Sequence, residues 1–314
     1  MSPRHRSLLP WFSLLLIYVV WGSTYLAIRI VVREMPPFAA AGIRFGAAGL
    51  VMSLIALAVD RAHGWPSRRQ WLDYALVGVL LLSVGNALVM KAERTIPSGI
   101  AALVVAAVPL WLTLLDGLRP GGQPWTLRVW LGTLLGLLGV AFVARPEGGV
   151  PAGHWAGIAA LQVACVSWAV GSLYAQSVPR RLPLFTASAV EMLAGAGVLF
   201  LQSRLFGEDL TALGQASPTA WSGLLYLAVF GSLVGFTAFA YCLNELPAST
   251  VGTYAYVNPV VAVILGSVFL GEPLSLELAA GGLLIVAAVV LTTLRPAPPR
   301  PGRDAVPVAD EASA

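Results

Sequence analysis

Ten stretches of almost uninterrupted apolar residues run along this 314-residue chain, five and then five, and they decide what it can fold into. A helix needs about 20 apolar residues to cross a hydrocarbon core about 30 Å thick. The stretches read as spans over Leu9–Val31, Pro37–Leu57, Trp71–Met90, Gly99–Leu115, Leu127–Ala144, Trp155–Gln176, Leu184–Leu205, Trp221–Leu243, Ser249–Leu270 and Leu276–Leu294. They exceed the roughly 9–11 residues of a barrel strand and lack its apolar/polar alternation, which excludes an outer-membrane barrel. With 58% hydrophobic and 11% charged residues, the short connections leave no room for a soluble catalytic domain. The expected fold class is an all-α polytopic membrane protein with ten transmembrane helices, and its first partner is the lipid bilayer.

Arg4 and Arg6 precede the first span as the basic residues of a signal peptide would. The apolar run is too long for that and no small-residue cleavage pattern interrupts it, so a retained first helix is expected. Counting basic residues in the connections and at the ends of the spans, with Arg29 and Arg44 left out, twelve fall on the side of the N-terminus and five on the other. By the positive-inside rule both termini are expected in the cytoplasm. The formal charge of +4 thus reads as a topology signal and not as a nucleic-acid surface.

The chain also repeats itself. Trp21 matches Trp168 and Phe38 matches Phe185 at an offset of 147, then Pro97 matches Pro247, Pro109 matches Pro259 and Gly132 matches Gly282 at 150. Each half carries an odd number of spans, so if one begins inside the other begins outside. Inverted repeats of this kind are a common basis of alternating access in secondary transporters. The expected division is a first five-helix repeat over 1–148, a second over 149–294, and a proline-rich, disordered cytoplasmic tail over 295–314.

Charges inside the spans stand out because each costs at least about 2.5–3.5 kcal/mol by insertion scales. Arg44 and Glu191 lie six residues after Phe38 and Phe185 respectively, at matching places with opposite sign. Two roles stay open for them: a site for a charged substrate or a coupling proton, and a structural pair joining the halves. Trp21, Thr24, Asn86, Trp168, Tyr174, Tyr254, Tyr256 and Asn258 are the polar and aromatic candidates for a cavity wall. Pro97, Pro109, Pro247 and Pro259 are expected to break helices and free backbone carbonyls. Lys91, Glu93 and Arg94 read as a solvated connection, with Glu93 near enough to the membrane to act as a gate. Gly132, Gly136 and Gly139 are expected to let helices approach closely, and Cys165 and Cys242 to be packing residues.

Several chemistries are missing. No Gly-x-x-x-x-Gly-Lys-Ser/Thr loop is present, so the chain is not itself an ATP-driven pump. His5, His63 and His154 lie outside the spans or at their ends, and no His-Glu-x-x-His pair occurs, which leaves a membrane metalloprotease without ligands. Ser172 follows Gly171, yet no histidine sits at membrane depth to activate it. The expectation is a non-enzyme with no metal and no cofactor, carrying a small-molecule substrate, with a proton as the candidate coupling ion. The alternatives are a structural or channel-like bundle or, further off, a membrane-embedded enzyme.

Trp21-Gly22-Ser23-Thr24-Tyr25, Arg44-Phe45, Pro97-Ser98-Gly99-Ile100-Ala101-Ala102 and Tyr254-Ala255-Tyr256-Val257-Asn258-Pro259-Val260-Val261 resemble the EamA branch of the drug/metabolite transporter superfamily. The resemblance runs from about Leu9 to Leu294. It implies two inverted EamA repeats around a central cavity, and export of small metabolites, amino-acid-like compounds among them, or drugs across a bacterial inner membrane. One departure is that Trp168-Ala169-Val170-Gly171-Ser172 is two residues longer between Trp and Gly-Ser than the first-half motif.

Overall fold

The computed structural model describes residues 8–61, 65–120, 126–143, 152–178, 182–246, 251 and 254–293. Pro247, the connector expected between the halves, and the 295–314 tail lie outside them. The described residues are helical wherever they are regular. Among the described residues, seven helices are long and apolar enough to cross a membrane, and the shorter apolar helices Leu127–Phe142, Val257–Leu270 and Leu276–Leu291 accompany them.

α1 (Leu9–Glu34) and α2 (Pro37–Val59) each carry proline in the first turn, where its missing N–H costs nothing. The third span is not one regular helix: α3 (Arg68–Gly78), opened by a capping box between Ser67 and Gln70, passes through a π-helical segment π1 (Val79–Asn86) into α4 (Ala87–Ala92). The fourth is broken at Ala106–Ala107 into α5 (Ser98–Val105) and α6 (Val108–Asp116). α7 (Leu127–Val143), α8 (Ala152–Ser177) and α9 (Leu184–Leu205) follow, then the short α10 (Thr211–Gln215). α11 (Pro218–Tyr226) runs through π2 (Leu227–Val234) into α12 (Gly235–Glu245), and α13 (Tyr254–Leu270) and α14 (Leu276–Thr293) complete the bundle.

The prolines do different things. Pro97 caps α5 and Pro109 sits in the first turn of α6, directly after the break. Pro259 lies inside α13, which continues past it, so the expected break there is absent. The π segments, by contrast, interrupt the Trp71–Met90 and Trp221–Leu243 spans, where the apolar pattern predicts regular helix.

α2 lies along α9, and α7 along α14. The first interface is close because Gly42 meets the Phe200 ring, Gly46 meets Ala196 and Gly49 meets Leu193. In the second, a side chain at Gly139 would come within 2.8 Å of the Gly281 carbonyl, the close approach expected of small residues. The ends of α2 and α9 are tied reciprocally. Asp60, just past α2, accepts from the Thr186 backbone N–H (3.0 Å) and hydroxyl (2.8 Å) in the first turn of α9. Glu208, just past α9, accepts from the N–H groups of Phe38 (2.9 Å) and Ala39 (2.8 Å) in the first turn of α2. Glu34 does the same for Ser217 before α11, and Glu272 for Ser98 and Gly99 at the start of α5. Each carboxylate satisfies helix N–H groups that have no intrahelical partner and sits at the positive end of a helix dipole.

The outer surface is apolar. Leu54, Val268, Phe269 and Leu283 are among many large hydrophobic side chains left exposed, as a bilayer-facing surface requires.

Candidate functional site

The break in the fourth span and the two π segments meet around one chamber of about 910 Å³, counted to its mouth. π-helical turns insert a residue into the helical ladder and occur often at functional sites. π1 contributes Gly85 and Asn86 to the wall, π2 contributes Gly231, and the break contributes Ala106 beside Val105 and Val108.

Arg44 is 3% exposed and lines this chamber. Its Nε donates to the Ser232 hydroxyl of π2 at 3.0 Å and its Nη1 to the Asn86 side-chain carbonyl of π1 at 3.2 Å. One guanidinium therefore bridges both irregular segments. Its carbon stands 4.6 Å from the centre of the adjacent Phe45 ring. At Gly231 a Cβ would approach Nη2 to 3.1 Å, so the absence of a side chain there leaves the guanidinium its place.

The aromatic walls are positioned by the same segments. Trp21 donates its indole N–H to the Gly231 carbonyl at 3.2 Å. Its ring packs on Phe236, Phe239 and Tyr254 with centroids 5.7, 5.1 and 5.2 Å away. Trp168 lies against Gly85 of π1, and the neighbouring Ser167 hydroxyl donates to the Leu80 carbonyl at 2.7 Å. Each tryptophan of the sequence repeat thus rests on a π segment of the other half.

Of the sequence candidates, Trp21, Thr24, Arg44, Asn86, Trp168, Tyr254, Asn258, Pro109 and Pro259 line the chamber together. The Thr24 hydroxyl is used on its own helix, at the Trp21 carbonyl (2.6 Å). Asn258, with its amide nitrogen as donor, reaches the carbonyls of Tyr18 and Tyr254 at 3.2 Å each. Tyr256 is on α13, but its side chain lies outside the described residues. Tyr174 is not in the wall; its hydroxyl donates to Asp73 at 2.7 Å. Cys165 lines the chamber as a buried thiol and Cys242 packs below Pro10.

One of the two roles left open for Arg44 and Glu191 finds no support, and one expectation is corrected. Arg44 and Glu191 do not pair: Arg44 takes neutral partners, and the backbone of Glu191 lies against Gly78 of α3, away from the chamber wall. The seventh span is turned so that Leu193, Ala196 and Phe200 face α2, which carries position 191 toward α3. The connection after α4 is not a solvated loop at Glu93, which is fully buried one turn beyond the chamber residue Val89. Both its carboxylate oxygens lack a hydrogen-bond partner among the described residues, while Arg29 donates to its backbone carbonyl. Lys91 and Arg94 beside it are exposed.

Ser232, buried behind the wall as an acceptor for Arg44, is a residue that sequence reasoning misses. A serine in an apolar run carries no distinct signal, but the need of a buried Arg44 for acceptors points to hydroxyls and amides at similar depth.

Comparison with known proteins places these features. The model of the EamA-like transporter family matches residues 9–145 and again 155–294. The uncharacterized inner membrane transporter YedA of Escherichia coli K12 is 43% identical, with 93% of each chain covered. The uncharacterized transporter YvbV of Bacillus subtilis is 28% identical over 93% of each chain. A probable terminal-alkyne amino-acid exporter of Streptantibioticus cattleyicolor is 27% identical, covering 90% of this chain and 93% of its own. A crystal structure 23% identical in sequence shares the fold with a TM-score of 0.63, over 93% of this chain and 98% of the other.

Proposed function

This chain belongs to the EamA-like transporter family, and from that premise we propose that it is a secondary transporter exporting small metabolites or drugs by alternating access. The ten apolar helices form two inverted five-helix repeats, 1–148 and 149–294, in a bacterial inner membrane with both termini in the cytoplasm. The chamber is the cargo site, and Glu93 with Arg29 forms a gate beyond it. A proton is the coupling ion this reading favours, since no nucleotide site is present in the sequence.

The observation that carries the reading is the shared wall: Trp21 and Trp168, matched by the sequence repeat, line one chamber, each against a π segment of the other half. A site built equally from two related halves can be exposed by rocking one against the other. Irregular backbone at that depth is tolerated because it lines a cavity and not lipid.

The test compares cells overproducing the protein with cells carrying Ala106→Phe at equal membrane abundance, by mass spectrometry of medium and cytoplasm. Ala106 is a buried chamber residue at the helix break, and a phenyl ring there fills the cavity. The expected result is a small metabolite enriched in the medium only with the native chain. Enrichment in the cytoplasm instead would reverse the direction, and identical profiles would defeat the transport reading.

A further inference from the structure

The charge of the chamber is unbalanced, and that imbalance selects its cargo. Arg44 is the charged side chain of the wall; no aspartate or glutamate lines it among the described residues. The ion pair found among those residues joins Arg119 to Asp116 at 3.7 Å, far along the chain, so Arg44 has no carboxylate partner among them. Glu191 is not in the wall, its backbone lying against Gly78 of α3, and Glu93 lies one turn beyond the wall residue Val89, with Arg29 bonded to its backbone carbonyl. A guanidinium offers five N–H groups. The bonds to Ser232 and Asn86 use one on Nε and one on Nη1, and both acceptors are neutral dipoles.

We propose that the cargo is an amphipathic monocarboxylate, its carboxylate held by the remaining N–H groups of Arg44 and its flat or aliphatic body lying against Trp21, Trp168 and Tyr254. This deepens the transport reading and rests on the chamber being the cargo site. An arginine fork matches the two oxygens of a carboxylate, and a bond between two charged groups is about twice as strong as a neutral one. The aromatic walls supply apolar area for the body. They also carry negative faces that would attract a cation, but Arg44 in the same chamber repels one. A free amino acid brings its ammonium to a wall with no anion to receive it. The chamber therefore distinguishes a carboxylate from the corresponding amide, amine and amino acid, even where their apolar bodies are alike.

Isothermal titration of the purified full chain in lipid nanodiscs tests this with two matched series: hexanoate, hexanamide, hexylamine and norleucine; and 3-phenylpropanoate with its amide, amine and phenylalanine. In at least one series the carboxylate is expected to bind about tenfold or more tightly than the other three, the worth of a hydrogen bond to a charged group. Arg44→Gln is expected to erase that preference while the amide still binds. Because removal of a buried arginine can also unfold the chain, Gly231→Ala is the second variant. Its methyl group meets the Thr24 Cγ2 at 3.0 Å and Nη2 at 3.1 Å, and is expected to weaken the carboxylate more than the amide. Tighter binding of an amine or amino acid, a carboxylate preference that survives both variants, or no carboxylate binding at all would overturn the proposal. Counterflow in proteoliposomes separates it from the transport reading. Carboxylates that bind but never cross defeat transport alone, whereas amines or zwitterions that cross in their place defeat only the cargo class.

Discussion

α2 and α9 lie along one another, cap each other's first turns with carboxylates, and carry opposite charges at positions matched by the sequence repeat. Their environments nevertheless diverge. Arg44 looks into the chamber and binds two π segments, whereas Glu191 is turned to α3 with its backbone pressed on Gly78. The difference separates frame from chemistry. Backbone-level devices, namely the glycine contacts, the reciprocal caps and the paired π turns at Val79–Asn86 and Leu227–Val234, recur on both sides. The charged side chain that lines the cavity, Arg44, comes from one side only, so the site is not a duplicate of itself.

The strongest way to break that comparison is at Gly78. A Cβ built there would lie under 3.0 Å from the carbonyl oxygen, carbonyl carbon and α-carbon of Glu191, all of them backbone. The corresponding last residue before π2 is Tyr226, whose ring stacks on Phe230 at 5.0 Å and whose hydroxyl meets that of Ser23 at 2.7 Å. Gly78→Leu is expected to abolish the monodisperse folded peak in size-exclusion chromatography. Overpacking against backbone costs about 1–3 kcal/mol or more even for small additions. A native-like profile for Gly78→Leu would mean that α3 and α9 are not held at this distance.

Next in size are the caps. Asp60→Asn and Glu208→Gln each remove a charged acceptor from two donors of the opposite helix, and each is expected to cost about 1–2 kcal/mol. In thermal unfolding that is on the order of 2–4 °C per kcal/mol for a chain of this class. The two caps lie at opposite ends of the same helix pair, so the double variant should show the sum. Loss from one variant without loss from the other would show that the frame is itself asymmetric.

Much of this frame is legible in the amino-acid sequence. Uninterrupted apolar runs mark the spans, and α9 keeps the bounds of its own run, Leu184–Leu205. Pro97 and Pro109 mark where the fourth span starts and breaks. The π segments are invisible to such reasoning because Val79–Asn86 and Leu227–Val234 are mostly runs of Leu, Val, Gly and Ser whose composition suits an α-turn equally well. The site is half legible for a related reason. Polar and aromatic residues at membrane depth are rare enough to be conspicuous, and seven of the ten binding or coupling candidates do line the chamber. Which residues of a helix meet the cavity depends on packing across the halves, so residue type alone sends Tyr174 and Glu191 to a wall that neither lines: Tyr174 lies beyond Trp168 on α8 and bonds Asp73, and position 191 lies against Gly78. Helix rotation is also what gives Arg44 the neutral partners Ser232 and Asn86 in place of a carboxylate.

The smallest expected effect is the one that discriminates best. Glu191 and Arg44 share no hydrogen-bond partner, and residues without shared partners couple by only about 0.3–0.5 kcal/mol. Glu191→Gln is therefore expected to change carboxylate affinity by less than about twofold, while Arg44→Gln removes the preference for carboxylates. Both are measured in the same titration, on chains of equal thermal stability. If Glu191→Gln weakens the carboxylate as much as Arg44→Gln does, the two charges act as one site after all. That outcome would require α9 to rotate toward the chamber in another state of the protein. Gly78 would then be the residue whose lack of a side chain permits the turn, because the backbone of Glu191 must slide across it.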